Sequence, residues 1–271
     1  MPPILIICIS IAAAILLVFL LYICLFVRPR VKKTVDKALL CSYAHRGLHG
    51  GDIPENSLAA FERACLRGCG IELDVQLSRD GVVTVFHDYT LTRMTGREEK
   101  LCELDSEELS SLSLGGTGEH IPTFSEVLSL VAGRVPILVE LKGETTSTEL
   151  CAKVAEELKA YNGKYCIESF NPLLVREIQK HLPNAFCGLL YTNVCREKRS
   201  FTPLNLLLTL MAFNFLARPA FIAYRANLRK SLPVRLATGL YRAPRFVWTV
   251  RDAAGLDTAL ALGECPIFEE R

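Results

Sequence analysis

The stretch "YAHRGLHGGDIPENSLAAFERACLRGCGIELDVQLS", residues 43–78, decides the fold. The apolar run "LLCSYAH" (39–45) leads into it and reads as a buried strand. "PENSLAAFERACLRG" (54–68) has Pro near its start and Gly just past its end, the punctuation of a helix. "GIELDVQLS" (70–78) then alternates with a period of two, as a strand does. Two strands joined through a helix must run parallel, so this is one strand–helix–strand unit. His45 and Arg46 stand at the end of its first strand, where packing alone has little use for them.

The same alternation continues outward. After the turn Arg79-Asp80-Gly81, "GVVTVFHD" (81–88) reads as a hairpin arm, and 89–121, polar and Gly-rich at its end, as an insertion. Strands are expected at 135–143, 165–170, 185–191, 217–224, 245–252 and 265–270. Helices are expected at 123–133, with a Thr123/Glu126 capping box, at 147–161, at 172–182, and in "DAAGLDTALALG" before the last strand. Leaving out the hairpin arm, eight strands with helical crossovers predict an α/β fold, a (β/α)8 TIM barrel with a small insertion after the second strand. The segment "FTPLNLLLTLMAFNFLARPAF" (201–221) is more apolar than a barrel helix requires, and reads as a helix either packed on the barrel or lying against a membrane.

Composition adds a second unit. Half of the 271 residues are hydrophobic, and from Ile4 to Val27 there are 24 without a charge. As a helix these span about 36 Å at ~1.5 Å per residue, enough for a hydrocarbon core of ~30 Å. A cleaved signal peptide is disfavoured by the length of the run, the lack of a basic start and the lack of a small-residue cleavage site. The reading is a transmembrane anchor at 1–27, a basic juxtamembrane linker at 28–38 and a barrel domain at 39–271, a single-pass membrane protein. Arg28, Arg30, Lys32, Lys33 and Lys37 flank the helix on its C-terminal side, which places the barrel in the cytoplasm, and eleven cysteines without a paired framework agree. Outside 28–37 the chain carries 26 basic and 28 acidic residues, so nothing suggests nucleic-acid binding, whereas the basic flank suits membrane lipids.

In a TIM barrel, chemistry belongs at the C-terminal ends of strands. His45 and Arg46, Glu72 and Asp74, His87 and Asp88, Glu140 and Lys142, Glu168 and Phe170, and Trp248 all fall at or toward such ends. Glu72, Asp74 and Glu140 stand inside apolar runs, where unpaired charge is costly. A hard divalent cation, Ca²⁺ or Mg²⁺, resolves the conflict; structural pairing with Arg46 and Lys142 is the alternative. His45 and His87 beside such a site suit a general acid and base, Arg46 suits bidentate recognition of a phosphate, and Lys142 adds a point charge. His49, His120 and His181 read as solvated. No G-x-S-x-G elbow or P-loop is present.

"HRG" (45–47), "PEN" (54–56), "ELD" (72–74), "DG" (80–81), "HD" (87–88), "LTRMTG" (91–96), "IPTFSEVL" (121–128), "VELK" (139–142), "ESF" (168–170) and "WTV" (248–250) occur in that order. Their order and spacing resemble the glycerophosphodiester phosphodiesterase family over nearly everything after residue 40. The resemblance implies a TIM barrel that hydrolyses glycerophosphodiesters to glycerol 3-phosphate and an alcohol, with attack by the substrate's own 2-hydroxyl giving a cyclic phosphate that water opens. It makes His45 and His87 the acid/base pair and Glu72, Asp74 and Glu140 the ligands of the divalent metal. Arg46 and Lys142 become phosphate contacts. Phe170 and Trp248 become pocket walls beside glycerol or leaving group; ordinary barrel core is the other reading of those two. Glu55 reads as structural. One departure stands out: the last strand ends "GECPIFEER" where the family ends in a G-[VI]-D-[GA]-[IV]-x-T-D-like run. The alternatives are lysophospholipase D- or phospholipase C-like activity on lysophospholipids or other membrane lipids, or a non-catalytic phospholipid-headgroup sensor.

Overall fold

Parallel pairing closes the sheet on itself. In a computed structural model that describes residues 2–32, 34–143 and 148–270, β1 (Tyr43–Ala44) bonds on one side to β2 (Gly70–Leu77) and on the other to β9 (Cys265–Phe268). Between them run β4 (Ile137–Leu141), β5 (Tyr165–Ser169), β6 (Phe186–Tyr191), β7 (Phe221–Arg225) and β8 (Arg245–Val250), each parallel to its neighbours. The short β3 (Val83–Val85) pairs antiparallel with β2 as the hairpin arm. The eight-stranded TIM barrel expected from the sequence is thus present, and the insertion that follows the arm has a small core of its own around Phe86, Leu91, Leu101 and Ile121. Lys33 of the basic flank and Ser147 of the expected 147–161 helix lie outside the described residues.

Register places the chemistry. Asp74, Glu140 and Glu168 are partners across β2, β4 and β5, so they form one row of inward-pointing side chains, with Glu72 one pleat below Asp74. Beneath that row the barrel is plugged by Leu39, Tyr43, Leu138, Phe186, Phe221 and Phe246. The Phe221 and Phe246 rings lie 4.2 Å apart, and Gly188 must be glycine because a Cβ there would stand 2.1 Å from the Phe221 ring. This apolar floor seals the N-terminal end and leaves the C-terminal end open.

Several boundaries differ from the sequence expectation: the strand expected at 217–224 begins only at Phe221, after a short helix that ends at Ala217, and three others have a local cause. The first strand is only Tyr43–Ala44 because Asp36 caps a 3-10 turn over Lys37–Leu39. The first crossover helix begins at Leu58, not Pro54, because Asn56 is left-handed (φ 55°) and Ser57 is the cap, accepting from the Ala60 N–H. The 201–221 segment is two helices, Pro203–Thr209 and Asn214–Ala217, broken at the left-handed Met211.

Pro3–Leu21 is α-helical and continues as a π-turn over Tyr22–Phe26; an 18-residue window of this stretch has mean hydropathy 3.3 and is not buried in the protein. By length and composition this helix can cross a membrane, a test that a signal sequence also passes. Its C-terminal end is fastened to the barrel. The Tyr22 hydroxyl donates to the Leu210 carbonyl (3.0 Å), Tyr241 donates to that of Ile23 (2.7 Å), and buried Asn214 donates to that of Val27 (2.7 Å). The following residues run along the closed end of the barrel, where the Arg30 N–H donates to Pro219 and Lys32 donates to the carbonyls of Asn184 and Ala185.

Candidate active site

The turn that follows β1 is locked by its own backbone. Arg46 and Asn56 are both left-handed, the Asn56 N–H donates to the Arg46 carbonyl, and the Arg46 N–H donates to Glu72 (2.9 Å). Gly47 (φ 79°) packs so closely on the first crossover helix that a Cβ would meet that of Ala60 at 2.8 Å. Here the left-handed conformation and the close approach both exclude other residues. The turn holds His45 and Arg46 over the acidic row.

Glu72, Asp74, Glu140 and Glu168 are all buried. Oxygens of Glu72, Asp74 and Glu140 lie within 4.8 Å of one another. Burial first, and then mutual repulsion, pushes the Glu72 carboxyl well above its ordinary range; burial raises Glu140 to about 7. Glu168 is likewise raised, by burial and by the other three acids. Asp74 goes the other way. Against its burial, Lys142, His87 and Arg46 hold it below the usual carboxylate range, with a hydrogen bond from Asn56 Nδ2 (2.9 Å). Lys142 Nζ lies 3.0 Å from Glu140 and 3.4 Å from Asp74; Arg46 Nη1 bonds Glu55 (2.7 Å) and its Nε lies 3.5 Å from Asp74. The two cations therefore do pair with the acids, and Glu55 is tied to Arg46 and Arg93.

Two cations do not satisfy the cluster. Asp74 Oδ1 and Glu168 Oε2 are shut off from solvent without a hydrogen-bond partner. Unpartnered carboxylate oxygens, an all-oxygen donor set and three carboxyls pushed toward protonation make this a cluster that could hold a hard divalent cation. Among the described residues no cysteine belongs to this group; all eleven cysteines are free thiols.

The two expected imidazoles are both oriented by carboxylates. His45 Nδ1 lies 2.8 Å from Glu269 Oε1, which leaves Nε2 facing Glu72 at 4.0 Å. Glu269, paired with His45 and Arg251, is held well below its ordinary range. His87 Nδ1 lies 2.6 Å from Asp88, whose other oxygen takes a 2.6 Å bond from Arg93. Burial lowers the His87 pKa despite the nearby Asp74. In both rings the carboxylate at Nδ1 takes the proton-bearing nitrogen and leaves Nε2 for other business.

His45, Arg46, Glu72, His87 and Glu140 line a cavity of about 600 Å³ at the open end of the barrel, together with Glu168, Phe170, Arg225, Trp248 and Arg251. Phe170 and Trp248 meet edge to face at 5.4 Å, Arg225 lies over the indole, and Phe170 is 40% exposed. Both line the cavity, and Trp248 also packs against the apolar core of the barrel. Lys142 lies at the side of this cavity, lining a second one that adjoins it. Sequence reasoning missed Glu269, Asn56 and the weight of Glu168. The rule that found the others, acids at strand ends, also covers Glu168 and Glu269, one residue past β9; nothing in the sequence marks Asn56 as a partner of Asp74. His49 is half-buried, not solvated: its Nε2 is out of solvent without a partner, and burial lowers its pKa.

The Glycerophosphoryl diester phosphodiesterase family model matches residues 45–269. A glycerophosphodiester phosphodiesterase of Caldanaerobacter subterraneus is 38% identical over 159 residues, covering 55% of this chain and 65% of that protein. Glycerophosphodiester phosphodiesterase 1 of Bos taurus is 31% identical over 160 residues, 55% of this chain and 48% of that one. The aligned stretches therefore span between about half and two thirds of these relatives. Among solved structures, a Thermotoga maritima glycerophosphodiester phosphodiesterase superposes with TM-score 0.65 at 25% identity, covering 84% of this chain and 94% of that one. An Oleispira antarctica phosphodiesterase in complex with the product sn-glycerol-3-phosphate superposes with TM-score 0.69 at 23% identity over 84% and 92%.

Proposed function

Since the chain belongs to the glycerophosphoryl diester phosphodiesterase family, we propose that it hydrolyses glycerophosphodiesters to glycerol 3-phosphate and an alcohol with a divalent metal, Ca²⁺ or Mg²⁺, at Glu72, Asp74 and Glu140. The observation that carries this is the pairing of two carboxylate-oriented imidazoles with a buried acid cluster in which Asp74 Oδ1 and Glu168 Oε2 have no hydrogen-bond partner. A headgroup sensor needs an anion site; it has no use for two oriented proton carriers.

The metal, when bound, supplies Lewis-acid charge that lowers the pKa of the attacking hydroxyl and neutralises phosphate oxygens. The chain's own groups do the rest. Arg46 and Lys142 face the phosphate as cations. His87, kept neutral by burial, accepts the proton of the glycerol 2-hydroxyl at Nε2 as that oxygen attacks phosphorus. The bond from phosphorus to the leaving alcohol breaks, and His45, steered by Glu269, delivers the proton to that oxygen. Water then opens the cyclic phosphate with the two roles exchanged. Phe170 and Trp248 wall the side where the alcohol leaves.

Pro3–Phe26 acts in this reading as a retained single-pass anchor, and Arg28, Arg30, Lys32 and Lys37 keep the barrel on the cytoplasmic side. The test is release of glycerol 3-phosphate from glycerophosphocholine and glycerophosphoethanolamine by the full chain in detergent, with Ca²⁺, with Mg²⁺ and after chelation. Metal-dependent release that disappears in His87→Ala while the variant still binds product supports the enzyme; release by neither ion would sink it. Protease protection in sealed membranes reads the side of the barrel.

A further inference from the structure

Closure of the barrel brings a second group of metal-binding side chains together beside the first cavity. His45 directly follows β1, His49 stands four residues on in the loop, and Glu269 lies one residue past β9. A ring nitrogen of each histidine and a Glu269 oxygen lie within 4.8 Å of one another, and all three residues are half-buried, within reach of an ion from solvent. This group shares no residue with Glu72, Asp74 and Glu140, although His45 Nε2 faces Glu72 at 4.0 Å.

Backbone hydrogen bonds fix each member. The His45 N–H donates to the Phe268 carbonyl (2.9 Å), which seats the residue beside Glu269, and the Glu269 N–H donates to Val250 (2.9 Å). His49 lies between two pinned neighbours: the Leu48 N–H donates to Ala60 (3.0 Å), and Gly50 exchanges hydrogen bonds with Ile53. A Cβ on Gly50 would stand 3.9 Å from the Glu270 carbonyl oxygen, so this loop rests against the segment that carries Glu269. Arg251 takes Glu269 Oε2 at 2.8 Å, which leaves Oε1 to face His45 Nδ1, also at 2.8 Å.

His49 does not spend this placement on a hydrogen bond. Its Nε2 is out of solvent and has no partner among the described residues, a costly state for a ring nitrogen. Burial favours the neutral ring, the form that offers a lone pair to a metal. Two imidazoles and one carboxylate are a donor set for Zn²⁺, which accepts three protein ligands and keeps a fourth position open. Ca²⁺ and Mg²⁺ favour the all-oxygen acid cluster instead.

The geometry points to a second metal site, formed by His45, His49 and Glu269, that takes Zn²⁺ and switches the enzyme off. The site stands on these contacts alone; its effect on turnover rests on the phosphodiesterase reading of the first cavity. The ion replaces the proton held between His45 Nδ1 and Glu269 Oε1, and that proton passes to solvent. An imidazole with one nitrogen on a metal cannot become imidazolium, so His45 has no proton to deliver to the leaving oxygen. No covalent bond to carbon or phosphorus changes, and a chelator returns His45 to its resting pair with Glu269. The two sites thus sort ions by ligand chemistry: a hard ion among the acids supports turnover, and zinc on the imidazoles stops it.

The experiment titrates Zn²⁺ into the full chain in detergent at saturating Mg²⁺ and follows both glycerophosphocholine hydrolysis and the thermal unfolding midpoint. The eleven free cysteines also take zinc, so the difference between variants is what is read. In the wild type, zinc is expected to stop hydrolysis in a way that more Mg²⁺ does not reverse, and to raise the midpoint by ~5–11 °C at about one hundred times its Kd. His49→Ala is expected to hydrolyse at the wild-type rate with Mg²⁺ alone and to need ~10²-fold more zinc, or greater, for half-inhibition. His49→Cys, which restores a zinc ligand, is expected to restore the sensitivity. Zinc inhibition that is equal in the wild type and His49→Ala, or that Mg²⁺ reverses, puts the ion elsewhere and overturns the site. A midpoint that zinc does not raise in the wild type, or raises equally in His49→Ala, overturns it too, whatever the activity of the variant. Absence of hydrolysis in the wild type with Mg²⁺ and with Ca²⁺ overturns the phosphodiesterase reading, and the midpoints still decide the site.

Discussion

Removing the metal should make this protein's stability depend on pH in a way that adding it back abolishes. Glu140 is buried and its pKa is raised to about 7, against an ordinary value of 4.5. A carboxyl whose folded pKa lies above its unfolded one favours the fold while protonated. That contribution is whole below about pH 4.5 and is lost as pH rises through about 7. The difference of about 2.5 pH units corresponds to roughly 3 kcal/mol, and Glu72 and Glu168, pushed up by burial as well, act with the same sign. Two groups oppose it elsewhere. Asp74, held low, loses stability only as pH falls below its ordinary range, and His87, lowered from 6.5, does so only below about pH 6.5. The interval from pH 6.5 to 8 therefore isolates the raised acids.

The assay is thermal unfolding of the full chain in detergent, read by the fluorescence of Trp248, the only tryptophan. For a domain of this size about 1 kcal/mol moves the midpoint by roughly 2–4 °C. Most of the Glu140 loss falls between about pH 4.5 and 6.5, so over pH 6.5–8 Glu140 alone lowers the midpoint by ~2–3 °C in chelator, with Glu72 and Glu168 adding in the same direction. Saturating Ca²⁺ or Mg²⁺ should remove the pH dependence and raise the midpoint, since a ligand at one hundred times its Kd adds ~2.7 kcal/mol. Glu72→Gln should raise the metal-free midpoint, by relieving repulsion, and abolish the response to metal. A metal-free midpoint that is flat or rises from pH 6.5 to 8, or a slope unchanged by either ion, would refute the reasoning.

Other outcomes follow from the same geometry. His45→Ala and His87→Ala should each lower glycerol 3-phosphate release by ~10²–10⁴ while keeping the rise in midpoint induced by Ca²⁺ or Mg²⁺, because neither is a proposed ligand of those ions. Glu269→Gln keeps an acceptor for His45 but loses the charge, and should lower kcat by up to ~10⁴ with KM for glycerophosphocholine little changed. Glu264 is a structural contrast: it bonds Tyr224 and Arg229 far from the acid cluster. Glu264→Gln should destabilise the fold by about 3–5 kcal/mol at neutral pH in chemical denaturation without altering the response to metal.

Strands were the legible part of this chain because a buried parallel strand is a short apolar run, and helices between such runs force parallel pairing. The same arithmetic placed the acids. Residues two apart on β2, and "VELK" on the next main strand, bring Glu72, Asp74 and Glu140 to one side without any knowledge of register. What escaped was set by contacts across large sequence distances. Glu269 meets His45 only because β9 closes the barrel against β1, 224 residues away. Asn56 serves Asp74 only because a left-handed turn swings it back over the sheet, which also delays the start of the helix. The 201–221 segment reads as one apolar helix until Asn214 is seen to be spent on the Val27 carbonyl.

Net charge alone conceals how unevenly charge is distributed along the chain. A net charge of +2 is the residue of two opposed fields, one segment, residues 192–245, with ten cations to one acid and a barrel body in which acids prevail. Counting in windows separates the two fields, but only the packing of Tyr22, Val27 and Arg30 onto Leu210, Asn214 and Pro219 brings the basic flank and the basic segment to one face. A phosphate entering the first cavity meets Glu72, Glu140 and Glu168 beside Arg46, Arg225 and Arg251, so acids and cations compete over the same space.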